Sequence, residues 1–387
     1  MALKAAARGD VPPFFVMEVM RAAAERAAAG DEVLHLEVGQ PGTPAPRGVL
    51  AAAHRALDGD RLGYTVALGI EPLRQAVARH YRDVYDVAVP AHRVVVTTGS
   101  SGGFVLAFLS AFEAGDRVAL AEPGYPCYRN ILSALGIEPV GLPVDRDSRY
   151  QPTVAMLEAL ERPVDGLIVA SPSNPTGTMV RRHELAELSA YCADREIRLI
   201  SDEIYHGIVY DFAATTAAGL NDDAVVINSF SKYFSMTGWR VGWMVVPADL
   251  MQSVERLAQN FFISPPTLSQ VAAVAAFDCH DELKANVAVY AQNRELLLDR
   301  LPAAGLDRLS QADGAFYIYA DVGHLTEDSE RLCRDILAAT GVAVTPGIDF
   351  DPVRGRRSIR ISFSGPTGDI DRAARRLVDW IPSQLKP

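Results

Sequence analysis

The sequence predicts an α/β fold: a large domain whose mostly parallel sheet is covered by helices, joined to a smaller α+β domain built from both chain ends. Three observations carry this expectation. Short β-rich runs alternate with helical periodicity between Arg93 and Val246, the pattern of strands linked by crossover helices. After Ala248 helical periodicity dominates until short strands return near the C-terminus. The chain has 387 residues, 49% of them apolar, which is more than one core usually supports and enough to fill a large interior.

The elements follow in order. Val16–Ala29 reads as a helix closed by Gly30. Gln40–Pro46 is too rich in proline for regular structure and reads as a crossing between domains. Arg93–Thr97 then Phe104–Phe112, Arg117–Ala121 then Tyr128–Leu135, and Gly166–Ala170 then Arg181–Glu196 are strand–helix pairs. Ile197–Ser201, Val225–Ser229 and Val241–Val246 are further strands. Pro266–Asp299 is helical, Phe316–Ala320, Val342–Thr345 and Ser358–Ser362 are short strands, and a final helix runs near Asp369–Leu385. The expected division is 1–47 and 286–387 for the two parts of the small domain and 48–285 for the large one. Val94–Phe112 is uncharged and nearly long enough to span a bilayer, but Thr97–Gly103 would break a spanning helix.

Bulk properties exclude several functions. A net charge of −11, with 48 acidic and 37 basic side chains and no basic run, repels a nucleic-acid backbone. The four cysteines lie far apart with no metal-like spacing, which suits buried thiols in a reducing compartment and no metal site. The N-terminus offers no apolar signal segment, so a cytoplasmic protein without a membrane partner is expected.

Three strand ends carry residue types that suggest chemistry. Lys232 follows Val225–Asn228 directly, which sets its amine at the carboxyl edge of the sheet where open α/β folds bind ligands. A lysine desolvated there becomes neutral near pH 7 and attacks an aldehyde, although most lysines are solvated surface groups. Ser229 and Arg240 are placed to hold a dianionic phosphate. Asp202 ends another apolar strand, either as a helix cap or as a carboxylate that keeps a pyridine nitrogen protonated. Asn174 sits in Asn174-Pro175-Thr176-Gly177 after a third strand, either in a plain turn or as a donor to a phenolate oxygen.

With Ser229-Phe230-Ser231-Lys232, Gly238-Trp239-Arg240, Asn174–Gly177 and Asp202-Glu203-Ile204-Tyr205 in this order, the chain resembles the class I aminotransferases of the fold-type I pyridoxal-phosphate family. The likeness runs from Val38-Gly39-Gln40-Pro41 to Arg360-Ile361-Ser362-Phe363. It implies transfer of an amino group between an L-amino acid and a 2-oxo acid by a ping-pong route. Lys232 would hold pyridoxal 5'-phosphate as a Schiff base and shuttle the proton, Asp202 would partner the pyridine nitrogen, and Asn174 and Tyr205 would bond the ring oxygen. The resemblance further implies Ser100, Ser101, Ser229 and Arg240 at the phosphate, Tyr125 stacked on the ring, and Gly39, Asn174 and Arg360 at the substrate carboxylate. Tyr64 would reach the phosphate of a neighbouring subunit in a homodimer. Arg360, alternating with Ile359 and Ile361, reads without the resemblance as a surface ion-pair residue, and Tyr64 as part of a surface loop.

Other readings fit less of the sequence. A β-lyase acting on sulfur amino acids shares the motifs. Gly99-Ser100-Ser101-Gly102-Gly103 matches the G-x-S-x-G turn of serine hydrolases through Ser101, but no oxyanion segment precedes it. No G-x-G-x-x-G or H-E-x-x-H motif is present, and the chain has no room for the second module of a ligand-sensing regulator. Aspartate-using relatives tend to carry lysine where this chain has Ser101. An apolar or aromatic substrate is therefore expected, with Phe14, Phe15 and Tyr125 as pocket walls.

Overall fold

Apolar runs too short for helices and bounded by turn residues form the central sheet of the computed structural model, which describes residues 3–384. Its strands are β2 (Val94–Thr97), β3 (Arg117–Glu122), β4 (Glu138–Pro143), β5 (Gly166–Ala170), β6 (Arg198–Asp202), β7 (Val225–Ser229) and β8 (Gly242–Val245). They lie in the order β2-β8-β7-β6-β5-β3-β4. The pairs β3–β4, β3–β5, β5–β6 and β6–β7 are parallel, whereas β8 runs antiparallel between β7 and β2. The carboxyl ends of β2, β3, β5, β6 and β7 therefore share one edge of the sheet.

Helices cover both faces. They are α2 (Arg47–Gly59), α3 (Glu71–Tyr85), α4 (Gly99–Ala111), α5 (Pro126–Leu135), α6 (Val154–Glu158), α7 (Arg182–Asp194), α8 (Met251–Phe261) and α9 (Thr267–Val274). One apolar cluster contains Leu73, Val77, Leu188, Val226 and Trp243, and another contains Phe104, Phe108, Leu132, Ile168 and Ile227. Val226 and Ile227 are neighbours on β7, so the two clusters occupy opposite faces, as strand alternation requires.

The remaining elements come from the chain ends: α1 (Phe15–Ala28), β1 (Leu34–His35), α10 (His280–Arg300), β9 (Tyr317–Asp321), α11 (Ser329–Thr340), β10 (Val342–Ala343), β11 (Thr345–Pro346), β12 (Ser358–Ser362) and α12 (Thr367–Gln384). β1 pairs in parallel with β10, and β12 lies between β11 and β9 in an antiparallel sheet. A third apolar cluster joins Leu34 and Leu36 to Tyr290, Phe316, Ile361 and Leu377.

Several elements differ from expectation. β4 carries Pro139, Gly141 and Pro143, which argue against a strand, but it pairs with β3 alone at the sheet edge, where a missing N–H is tolerated. Val342–Thr345 is two pieces, because β10 turns to β1 and β11 to β12. The expected helix Pro266–Asp299 is interrupted by a 3-10 turn at Ala275–Asp278 between α9 and α10. The expected end of the last helix at Leu385 lies outside the described residues. The uncharged run Val94–Phe112 is β2 plus α4, and among the described residues no helix is long and apolar enough to cross a membrane.

Candidate active site

A cavity of about 320 Å³ opens at the shared strand edge. It brings together Gly39, Ser100, Ser101, Tyr125, Asn174, Asp202, Tyr205, Lys232, Arg240 and Arg360 from seven separate segments of the sequence. Ser229 and Tyr64 are not among its lining residues. Ser229 is buried beneath it, its hydroxyl 2.8 Å from that of Ser231, which does reach the cavity. Tyr64 is 85% exposed. Its loop is tied down by Thr267, whose hydroxyl donates to Gly63 O at 2.6 Å, and by Gln270, which donates to Thr65 Oγ1 at 3.1 Å. Phe14 lines the cavity, but Phe15 does not.

Lys232 extends from the turn after β7 and donates to the carbonyl of Gly39 on the crossing segment. Burial lowers its pKa to about 8, with Arg360 and Arg240 adding repulsion and Asp202 opposing them. Its Nζ also lies 5.7 Å from the centre of the Tyr205 ring. The absence of a side chain at Gly39 is required: a Cβ there would lie 2.1 Å from the Tyr317 hydroxyl.

Asp202 closes β6 with 3% exposure. One carboxylate oxygen accepts the Tyr128 hydroxyl and the other accepts Ile204 N–H at 3.0 Å. The second bond closes a turn rather than a helix, so Asp202 is not a helix cap. Burial raises its pKa to about 6, against the bonds from Tyr128 and Ile204 and the charge of Lys232. Behind it Glu203 is wholly enclosed, and its Oε1 accepts from Ser201, Thr216 and Ala217 N–H at 3.1, 3.0 and 2.8 Å.

Arg360 is 3% exposed and is no surface ion-pair residue. Its guanidinium donates to Asn174 Oδ1 at 2.9 Å, to Thr345 Oγ1 at 3.3 Å and to the carbonyl of Glu37. It also packs over the rings of Tyr317 and Phe350, at 4.5 and 4.8 Å. Tyr317 in turn bonds Tyr205, hydroxyl to hydroxyl, at 2.7 Å. Arg360 Nε is buried without a hydrogen-bond partner, so the group retains unused donor capacity.

At the opposite end α4 starts at Gly99, five residues before the helix expected at Phe104, so the glycine-rich stretch expected as a turn is the first turn of the helix, and Ser100 and Ser101 lie in it, where backbone N–H groups have no intrahelical partner. Gly99 has φ +73°, and a Cβ there would lie 2.6 Å from Arg240 Nη2. Helix start and guanidinium thus form a cradle suited to a dianion. Tyr128, Tyr317, Ser231 and Thr237 are cavity residues that the strand-end reading missed. Ser231 had a signal, since it precedes Lys232 directly, but the tyrosines reach the site through packing that no local pattern encodes.

Comparison with known proteins bears on these features. The family model for aminotransferase class I and II matches residues 31–377. The chain belongs to this family. Its members are pyridoxal-phosphate-dependent, and the chain is an aminotransferase of the fold-type I group. It is 54% identical to valine–pyruvate aminotransferase of Mycobacterium tuberculosis, over 98% of this chain and 99% of that protein. It is 31% identical to (5-formylfuran-3-yl)methyl phosphate transaminase of Methanocaldococcus jannaschii, over 95% and 96%. Its structure matches an aminotransferase from Mycobacterium tuberculosis with a TM-score of 0.97 at 53% identity, covering 99% and 100% of the two chains. Thermus thermophilus aspartate aminotransferase with maleate gives 0.91 at 27% identity, covering 98% and 100%. These relatives give no support to a β-lyase. The serine-hydrolase alternative lacks a base, because no histidine is among the residues lining the cavity beside Ser101.

Proposed function

We propose that this aminotransferase takes apolar L-amino acids, valine foremost, and pyruvate as the 2-oxo acid. One observation carries the reading. The cations lining the cavity are Lys232, Arg240 and Arg360, and each has a use: amine chemistry, the phosphate, and the substrate α-carboxylate. Within the chain no lining cation is left for a second carboxylate, while Phe14, Val16, Met17, Met20 and Val38 supply an apolar wall. The valine–pyruvate relative supports the same choice.

The residues fit pyridoxal phosphate, with Lys232 as the attachment point, Asp202 at the ring nitrogen, Asn174 and Tyr205 at the ring oxygen, and Tyr125 against the ring. Ser100, Ser101, Arg240 and Ser231, backed by Ser229, would hold the phosphate end. Bound there, the cofactor supplies an aldehyde that captures amines and a pyridinium that withdraws electrons from the substrate Cα. Asp202 keeps that nitrogen charged. Arg360 grips the carboxylate with its fork and orients Cα toward Lys232. The Lys232 amine, with a pKa lowered to about 8, would take the Cα proton and return it to the cofactor's C4′ carbon on the other side of the amino nitrogen.

Homodimer assembly, with Tyr64 completing the neighbour's phosphate site, belongs to the same reading. Exposed Leu57, Tyr64, Val66, Phe261 and Ile263 support it. A hybrid of Lys232→Ala chains and Tyr64-loop variants should regain one working site, and no recovery in confirmed hybrids would exclude Tyr64 from the partner's site. A cytoplasmic location is supported by four unpaired cysteines. The division into 1–47, 48–285 and 286–387 is supported by the cluster that joins Leu34 and Leu36 to Phe316, Ile361 and Leu377, although Tyr205 and Ile208 also belong to it, Ala45 belongs to the large cluster, and the boundary at 285 falls inside α10. The substrate is tested by mixing holoenzyme with single amino acids and following cofactor absorbance. Valine and alanine should react at least about 10²-fold faster than aspartate, since an unpaired buried carboxylate costs several kcal/mol. Faster reaction with aspartate would overturn the proposal.

A further inference from the structure

We infer that Asp349 is a positioning residue that sets side-chain preference by holding the first turn of α1 against the cavity. This rests on the reading of the cavity just given. Helix α1 has no cap of its own: Phe14 stands at the N-cap position and offers no side-chain acceptor. Its first amides are taken by a distant carboxylate. Phe15 N–H donates to Asp349 Oδ1 and Val16 N–H to Asp349 Oδ2, both at 3.2 Å. Asp349 is 3% exposed and both its oxygens are engaged in these bonds.

The turn that presents Asp349 is fixed on several sides. A Cβ on Gly347 would lie 2.6 Å from Gly355 O. Phe350 O accepts Gly124 N–H at 3.0 Å, and Arg129 donates to Asp349 O at 3.4 Å. The Phe350 ring lies against the Arg360 guanidinium at 4.8 Å. One rigid turn therefore touches the carboxylate-binding arginine on one side and the start of α1 on the other.

Helix α1 is anchored separately at its far end, where Ala23 packs with Leu337 and Ala343 and Arg26 donates to Ala338 O at 3.0 Å. The wall-forming side chains Val16, Met17 and Met20 lie before that anchor, and Phe14 meets Tyr125 edge-to-face at 6.1 Å. Without Asp349 the first turn loses two amide acceptors and frays, and the wall loses its fixed position. Lys232 and Asp202 are held by other elements, and Arg360 keeps its bonds to Asn174, Glu37 and Thr345.

The test uses holoenzyme of the wild type, Asp349→Ala and Asp349→Asn, with alanine, valine and leucine as amino donors. Asp349→Ala should lower kcat/KM for valine and leucine about tenfold, through KM, while alanine, too short to reach the wall, changes less than about twofold. Asp349→Asn, which keeps one acceptor oxygen, should recover part of the loss and remains informative if the alanine variant does not fold. Amide exchange at residues 15–17 should accelerate in the variants without any substrate present. Equal losses for alanine and valine, or unchanged exchange, would overturn the inference. A wild type that prefers aspartate would instead overturn the substrate reading, and amide exchange would still decide the role of Asp349.

Discussion

Arg360 Nη1 donates to Asn174 Oδ1 at 2.9 Å, so strand β12 of the C-terminal sheet and the turn after β5 meet in one buried hydrogen bond. The same guanidinium leans on Tyr317 and Phe350, and its Nε is buried without a hydrogen-bond partner.

Arg360→Lys keeps the charge but loses the fork, and should raise KM for all amino acids about 10²-fold, in line with losing one arm of a buried charge pair. Steady-state kinetics with alanine and valine should show the same factor for both, in contrast to the Asp349 variants. A loss confined to valine would remove Arg360 from the carboxylate site.

Capture of pyridoxal phosphate by apoprotein should speed up as pH rises through about 8, because attack needs the neutral Lys232 amine and burial sets its pKa there. Stopped-flow absorbance between pH 6.5 and 9.5 measures it. Lys232→Ala should show no capture step and no turnover. A flat profile would mean that another group controls attachment.

Asp202→Asn should retain cofactor yet slow turnover by orders of magnitude, since an amide cannot keep the ring nitrogen charged. Tyr128→Phe removes one donor to Asp202 and should cost only about 1 kcal/mol, roughly fivefold in rate. Comparable effects from the two variants would make Tyr128 a cofactor contact in its own right.

Glu203 gives a stability prediction. Burial raises its pKa to about 8 and lowers that of His206, 3.4 Å away, to about 3, which favours the neutral form of both near pH 7. A carboxyl whose folded pKa is raised contributes stability that is complete below about pH 4.5 and is lost as pH rises toward 8. Glu203→Gln should therefore gain on the wild type in Tm, by a few degrees, as pH moves from 5 to 8.5. A constant difference in Tm across that range would show that Glu203 is ionised in the folded protein.

Much of the site was legible because buried parallel strands read as unbroken apolar runs, and the residues that stop those runs are the ones the sheet edge presents. Lys232, Asp202 and Asn174 were found this way. Arg360 needed the family likeness, because alternation on a strand does not show which face is enclosed. Tyr128 and Tyr317 were not legible, since their positions depend on packing between segments far apart in sequence. Edge strand β4 was hidden by its prolines. Helix α1 and the wall residue Phe14 were legible, but Val16, Met17 and Met20 were not, since the first turn is placed by the distant Asp349 and not by a neighbouring cap residue.

The pairing of Leu34–His35 with Val342–Ala343 bears on how the chain is made. On the ribosome the strands of the central sheet emerge and can fold while the first segment still lacks the residues it will rest on. Only when β10 and Asp349 emerge can the opening helix dock. Lys232 and Asp202 thus leave the ribosome well before Asp349 and Arg360, the residues proposed to sort and grip the substrate.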